Sequence, residues 1–245
     1  MFGMGLRLGA GARRRFSPRA LFAGGEVGAW FDPSDLSSMF QDLAGAVPAA
    51  VGAPVARIND KSGRGFHAGQ ATAAARPVLR QDAGGRFYLE FDGVDDRLVT
   101  AAIALDQPWD RVSAVRQTGW TSGRRIFAGA GGTAGALQQA GASPGLALFD
   151  GAVATANSGA AVGTAAVLFE RHSGAGSLLG VNNLAAVSGN PGTGAANGVS
   201  AGADAGGTNA AAFHLYGLCV VKAALSAAQL AALKGFLAGK AGVAL

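Results

Sequence analysis

The chain has 245 residues, of which 14% are charged and 49% hydrophobic, enough apolar surface for a buried core and too much for a disordered chain. The formal net charge is +5, and residues 1–28 hold five arginines against Glu26, a net +4 that leaves only +1 for the rest. A basic face running across the whole fold, as in a typical nucleic-acid binder, is therefore excluded, and the 40 glycines favour short strands and tight turns over long helices.

Residues 1–24 form a Gly/Arg-rich arm in which Phe2, Met4, Leu6 and Leu8 alternate with glycine and arginine, followed by Arg13, Arg14 and Arg15. A period of two suits an extended segment pressed against a partner on one face, and a solvated tail is the alternative. The arm lacks the continuous apolar stretch of a signal peptide. No window offers the ~20 apolar residues of a membrane span. Cys219 is the single cysteine, so no internal disulfide forms.

Globular sequence runs from 25 to 245. Val27, Ala29 and Phe31 alternate around Trp30 in a first strand ending at Asp32-Pro33. Leu36, Met39, Phe40 and Leu43 have helical spacing and predict a short helix over 35–43, with Ser34 as N-cap. Strands follow over 55–59, 77–80, 86–91 and 97–100. In the third of these, Phe87, Leu89 and Phe91 face one way and Tyr88 and Glu90 the other. Further strands are expected at 112–115, 125–130, 145–149, 165–171 and 177–181, then a long loop over 188–209. Residues 213–222 are apolar on both faces and read as a central strand. Ser226 caps a last helix over 227–238 with Leu230, Leu233 and Leu237 on one stripe. Short strands punctuated by turns, without strand–helix–strand alternation, indicate an antiparallel sandwich.

Three segments carry a family resemblance. Trp30-Phe31-Asp32-Pro33-Ser34-Asp35 with Asp60-Lys61-Ser62-Gly63-Arg64-Gly65-Phe66-His67-Ala68 is the first. Phe91-Asp92-Gly93-Val94-Asp95-Asp96-Arg97-Leu98 is the second. Leu215-Tyr216-Gly217-Leu218 with Leu225-Ser226-Ala227-Ala228-Gln229-Leu230 is the third. Together they resemble the concanavalin A-like (laminin-G-like) domains of bacteriophage and prophage structural proteins. The resemblance implies an all-β, two-sheet antiparallel jelly-roll sandwich with a short helix after the first strand and a C-terminal helix. It further implies glycan binding or virion assembly.

The chemistry-bearing residues are sparse. Glucanases of that fold carry their acids in an E-x-D-x-x-E pattern, which is absent, and Glu170 stands alone. His67, His172 and His214 lack metal-ligand spacing; His172 is expected at the surface and His214 as a hydrogen-bonded core group. Asp92, Asp95 and Asp96 are the one dense acidic cluster, suited to calcium if to any metal; ordinary turn chemistry is the alternative, and no other cofactor is implied. Trp109 and Trp120 near strand ends could stack on sugar rings or seal the core.

The expectation is a non-enzymatic virion subunit, a tail fibre, head spike or baseplate-peripheral protein. Phe2, Met4, Leu6, Leu8, Arg13, Arg14 and Arg15 would anchor it to other virion subunits. It would be a homotrimer, with host surface polysaccharide as a further partner and neither membrane insertion nor nucleic acid involved. A stand-alone carbohydrate-binding module and a glycan hydrolase are the alternatives.

Overall fold

The computed structural model describes residues 15–154 and 160–245. Its early strands are β1 (Gly28–Phe31), β2 (Met39–Phe40), β3 (Arg57–Ile58), β4 (Ala68–Gly69), β5 (Val78–Gln81), β6 (Phe87–Asp92) and β7 (Leu98–Thr100). The middle is β8 (Trp109–Gln117), β9 (Arg125–Ala128), β10 (Ala136–Gln139), β11 (Leu146–Phe149) and β12 (Ala165–His172). β13 (Ser177–Val181), β14 (Val187–Gly189), β15 (Ser200–Ala201), β16 (Ala212–Val221) and the helix α1 (Ala227–Ala241) complete it.

These strands make two antiparallel eight-stranded sheets. The first runs β14-β13-β12-β8-β16-β6-β5, with β1 extending the edge of β16 beyond β6. The second runs β11-β10-β9-β15-β7-β4-β3-β2. Leu89, Phe91, Phe213, Leu215, Val115 and Leu168 on the inner face of the first sheet meet Ile58, Leu98, Ile126, Phe127, Leu137 and Leu148 from the second. The apolar gap left between Phe31, Ile58, Leu89, Leu98, Leu215 and Leu218 is about 10 Å³, too small for any sugar.

A third layer covers part of the first sheet's outer face. Leu233, Leu237, Ala238 and Ala241 of α1 bury against Val112, Ala114, Val167, Phe169, Cys219 and Val221. The helix starts where the sequence indicates: Ser226 accepts from the Gln229 N–H while the Gln229 side chain accepts from the Ser226 N–H. It ends at Gly242 in the left-handed conformation.

The helix expected over 35–43 takes a different form. Leu36–Ser38 is a single 3-10 turn, capped by Asp35 rather than Ser34, and the chain then extends into β2. The apolar spacing is not a stripe, because Met39 is wholly buried while Leu36 and Leu43 face solvent. Of the expected arm, residues 1–14, including Phe2, Met4, Leu6, Leu8, Arg13 and Arg14, lie outside the described residues. Residues 15–22 pack on the chain's own α1, with Phe16 edge-on to Phe236 and Leu21 and Phe22 buried.

β1 depends on one glycine. Gly28 has φ +149°, and a Cβ there would lie 2.1 Å from the Val220 carbonyl oxygen of the neighbouring strand. Gly28→Ala should therefore cost about 2–3 kcal/mol in a denaturant melt, because strain and a backbone clash add. A loss below ~0.5 kcal/mol would show that β1 is not held in this register.

Candidate functional site

Most carboxylates in this chain are structural hubs. Asp60 accepts from the Trp30, Ser62 and Phe66 N–H groups and from the Ser62 hydroxyl, which locks the Asp60–His67 turn to β1; His67 Nδ1 in turn accepts from the Asp60 N–H. Asp110 takes both prongs of the Arg171 guanidinium and the Leu225 N–H. Asp32 holds Lys240, and Asp204 holds Thr208 and Asn209.

Glu170 does not stand alone, and His172 is not at the surface. β12 lies beside β8 with Glu170 opposite Arg111 and His172 opposite Trp109, all on the inner face and all with no solvent exposure. Arg111 donates to Glu170 at 2.8 and 2.5 Å and to the Gly135 carbonyl at 3.1 Å. His172 Nδ1 lies 2.7 Å from Asp150, which also accepts from the Gly135 N–H and Gln107. Trp109 stacks on His172 at 3.8 Å and therefore offers no face to a sugar. Cys219 is also enclosed, with burial pushing its thiol up, as expected of a small hydrophobe.

The accessible polar groups gather elsewhere. α1 packs mainly over β8, β12 and β16, and on the outer face of β5 and β6 the Arg80–Glu90 pair reaches solvent. Alternation places Tyr88, Glu90 and Asp92 of β6 on that face, opposite the buried Leu89 and Phe91. Glu90 pairs in register with His214, and His214 with Arg116. Tyr88 stacks on His214 at 4.1 Å. His214 is thus an outer-face group rather than a core one; burial, chiefly, holds its imidazole below the ordinary histidine value.

At the end of this face the chain turns through Asp92-Gly93-Val94-Asp95-Asp96. One oxygen from each of the three aspartates lies within 4.8 Å of the others. The Asp92 N–H donates to Asp96, and the Val94 N–H to Asp92. Asp96 is 5% exposed, and its carboxyl is pushed up to about 6, by burial first and by Asp92 and Asp95 next. The left-handed Gly93 packs on Ala212, which lies opposite Asp92 in register. The Thr118 and Gly119 N–H groups donate to the Ala212 carbonyl from the other side. Two strand spacings, roughly 10 Å, therefore separate the acidic turn from the loop carrying Trp120. Trp120 is half-buried, its indole N–H fixed on the Gly145 carbonyl. The fold thus brings two of the sequence's candidates to one end of the sandwich and puts Trp109 at the other end of β8. Missed in the sequence were Tyr88, Glu90, His214 and Arg116 as one surface; the signal was Glu90-Phe91-Asp92, two acids on one strand face.

Asp96 makes a testable stability statement. Its carboxyl rises from 3.8 in the unfolded chain to about 6 in the fold, so the folded state binds the proton more tightly. Stability should fall as pH rises between those values, by up to about 3 kcal/mol. Asp96→Asn should raise the melting temperature at pH 7.5 and leave it nearly unchanged at pH 4. An equal effect at both would contradict the assignment.

No family model and no curated protein matches the sequence. Solved structures do match. A GH54 α-L-arabinofuranosidase soaked with a cyclic sulfate inhibitor superimposes with TM-score 0.65 and 13% identity, over 92% of this chain and 66% of that one. Trypanosoma rangeli sialidase, as a covalent intermediate with 2,3-difluorosialic acid, gives TM-score 0.56 and 13% identity over 88% of this chain. The chain spans about a third (33%) of that sialidase. At such identities the likeness establishes the fold, a β-sandwich shared with glycosidases. The expectation of a non-enzymatic virion subunit is thereby corrected: these solved structures, which share the fold, are glycosidases.

Proposed function

We propose that this chain is a glycan hydrolase, or the sandwich unit of one, of concanavalin A-like jelly-roll type. Its chemistry would sit at the Asp92–Asp96 turn. The observation that carries the reading is the pairing of Asp96, enclosed and holding its proton up to about pH 6, with the exposed Asp92 less than 5 Å away. Environments that differ this much suit an acid and its partner. Asp96 donates its proton to the glycosidic oxygen as the C–O bond breaks, and Asp92 attacks the anomeric carbon or takes a proton from the attacking water. The short separation favours direct attack, the retaining course. Trp120 supplies an aromatic face for a sugar ring. Release of nitrophenol from a panel of 4-nitrophenyl glycosides, α-L-arabinofuranoside included, tests the reading. On unactivated oligosaccharides, followed by their reducing ends, turnover should fall as pH rises through about 6, and Trp120→Ala should raise KM about tenfold. Turnover that is absent across the panel and across reducing-end assays on polysaccharides would sink it.

The same carboxylates support a second reading. Oxygens bound to one calcium ion at ~2.4 Å lie up to about 4.8 Å apart, the span seen for Asp92, Asp95 and Asp96. Calcium at millimolar concentration would then raise the melting temperature of the wild type and not of Asp95→Asn. Equal shifts in both proteins would exclude the site.

A further inference from the structure

Residues 15–22 stand as a ridge between two open clefts, with an arginine facing each. One cleft, about 600 Å³, is lined by Ser17, Arg19, Phe22, Ser62, Gly63 and Arg64. The other, about 550 Å³, lies between Arg15, Phe16, Phe236 and the α1 surface at Gly235 and Gly239. Among the described residues, no acidic side chain lines either cleft.

The arginines are not used by the fold in the same way. Arg64 donates from Nε to the Glu26 carbonyl at 3.0 Å and from one terminal nitrogen to the Phe22 carbonyl at 2.7 Å. Its guanidinium is thus fixed, with the other terminal nitrogen left over. Arg15 and Arg19 are exposed and have no hydrogen-bond or ion-pair partner among the described residues. Gly63, at φ +90°, adjoins Arg64 in the chain, and an added Cβ there would lie 3.7 Å from an Arg19 terminal nitrogen, so Arg19 and Arg64 border one space. The nearby lysines add no free charge, since Lys61 is paired with Asp35 and Lys240 with Asp32. Across the ridge, Phe16 is half-buried against Phe236, and Gly235 and Gly239 give a floor on which an added Cβ would meet nothing.

We propose that this ridge binds an acidic polysaccharide, its carboxylate or sulfate groups on Arg15, Arg19 and Arg64 and a sugar face on Phe16. Guanidinium forks suit such oxyanions, and a partly exposed ring suits the apolar face of a sugar. Three guanidiniums are too few to compete for duplex DNA, which carries a charge every ~1.7 Å. A polyuronate such as polygalacturonate carries one carboxylate on each ring, and the arginines stand on both sides of the ridge rather than in one cluster. The surface is independent of the acidic turn, so it stands or falls separately from hydrolysis there.

The test is calorimetric titration of the full chain with heparin and polygalacturonate, with dextran as the uncharged control and a short DNA duplex as the competing polyanion. At least one acidic glycan should bind, dextran should not, and affinity should fall with salt. Charge reversal of the two exposed groups, Arg15→Glu with Arg19→Glu, should weaken that binding at least about tenfold without lowering the melting temperature. The proposal is overturned by no binding of either acidic glycan, by tighter binding of DNA, or by undiminished binding in the double variant.

Discussion

Replacing Arg111 with methionine should lower stability by about 3–5 kcal/mol, one of the largest losses expected from a single substitution in this chain. Arg111 and Glu170 are both fully enclosed between the sheets and bonded through two nitrogens and two oxygens. The guanidinium also lies 4.6 Å from the Phe127 ring centre, so it is packed as well as paired. Removing it strands a carboxylate in the core beside a second acid, Asp150, with only His172 between them. Burial alone would raise the Glu170 carboxyl, but Arg111 and His172 outweigh it and hold it below the ordinary 4.5. The stability this group supplies is thus complete above pH 4.5 and is lost as pH falls below it, so the penalty of Arg111→Met should shrink in acid. The double variant Arg111→Met with Glu170→Met should be milder than the single, because no charge is left unpaired. Urea melts at pH 7 and pH 4 measure all three statements. A single-variant loss under ~1 kcal/mol at pH 7, or strictly additive effects, would show that the pair is not the buried unit described.

The second large effect is on turnover. Asp96→Asn keeps the acceptor for the Asp92 N–H but cannot lose or give a proton, so kcat should fall about 10²–10⁴-fold with little change in KM. Asp92→Asn should fall at least as far on every substrate, whereas Asp96→Asn should be mildest on glycosides whose leaving group needs no proton, such as 4-nitrophenolate. That difference separates donor from partner in a way that a merely structural role would not. Losses that are identical across leaving groups, or a pH profile unchanged in Asp96→Asn, would remove Asp96 from the chemistry.

What the sequence revealed follows from how local each signal is. β6 and β16 were legible because six or more consecutive residues show their two faces, and the helix at 227–241 because its cap and stripe lie within a few turns. β2, β3, β4 and β15 have two residues each, too few for any period to show. The Arg111–Glu170 pair joins residues 59 apart and exists only once β8 and β12 are in register. The same holds for Trp109 and His172, whose burial depends on the opposite sheet. Of the candidate site, the acidic cluster and Trp120 could be picked out by residue type, but their proximity depends on Ala212, the residue on which both loops rest.

Chemical-shift mapping with a neutral oligosaccharide tests the central claim most directly. The account predicts that backbone amides of Gly93, Gly119, Trp120 and Ala212 move together and saturate with one affinity, and that Trp120→Ala needs about tenfold more ligand to reach the same shifts. Shifts confined to other surfaces, with the 92–96 and 118–121 loops silent, would contradict it.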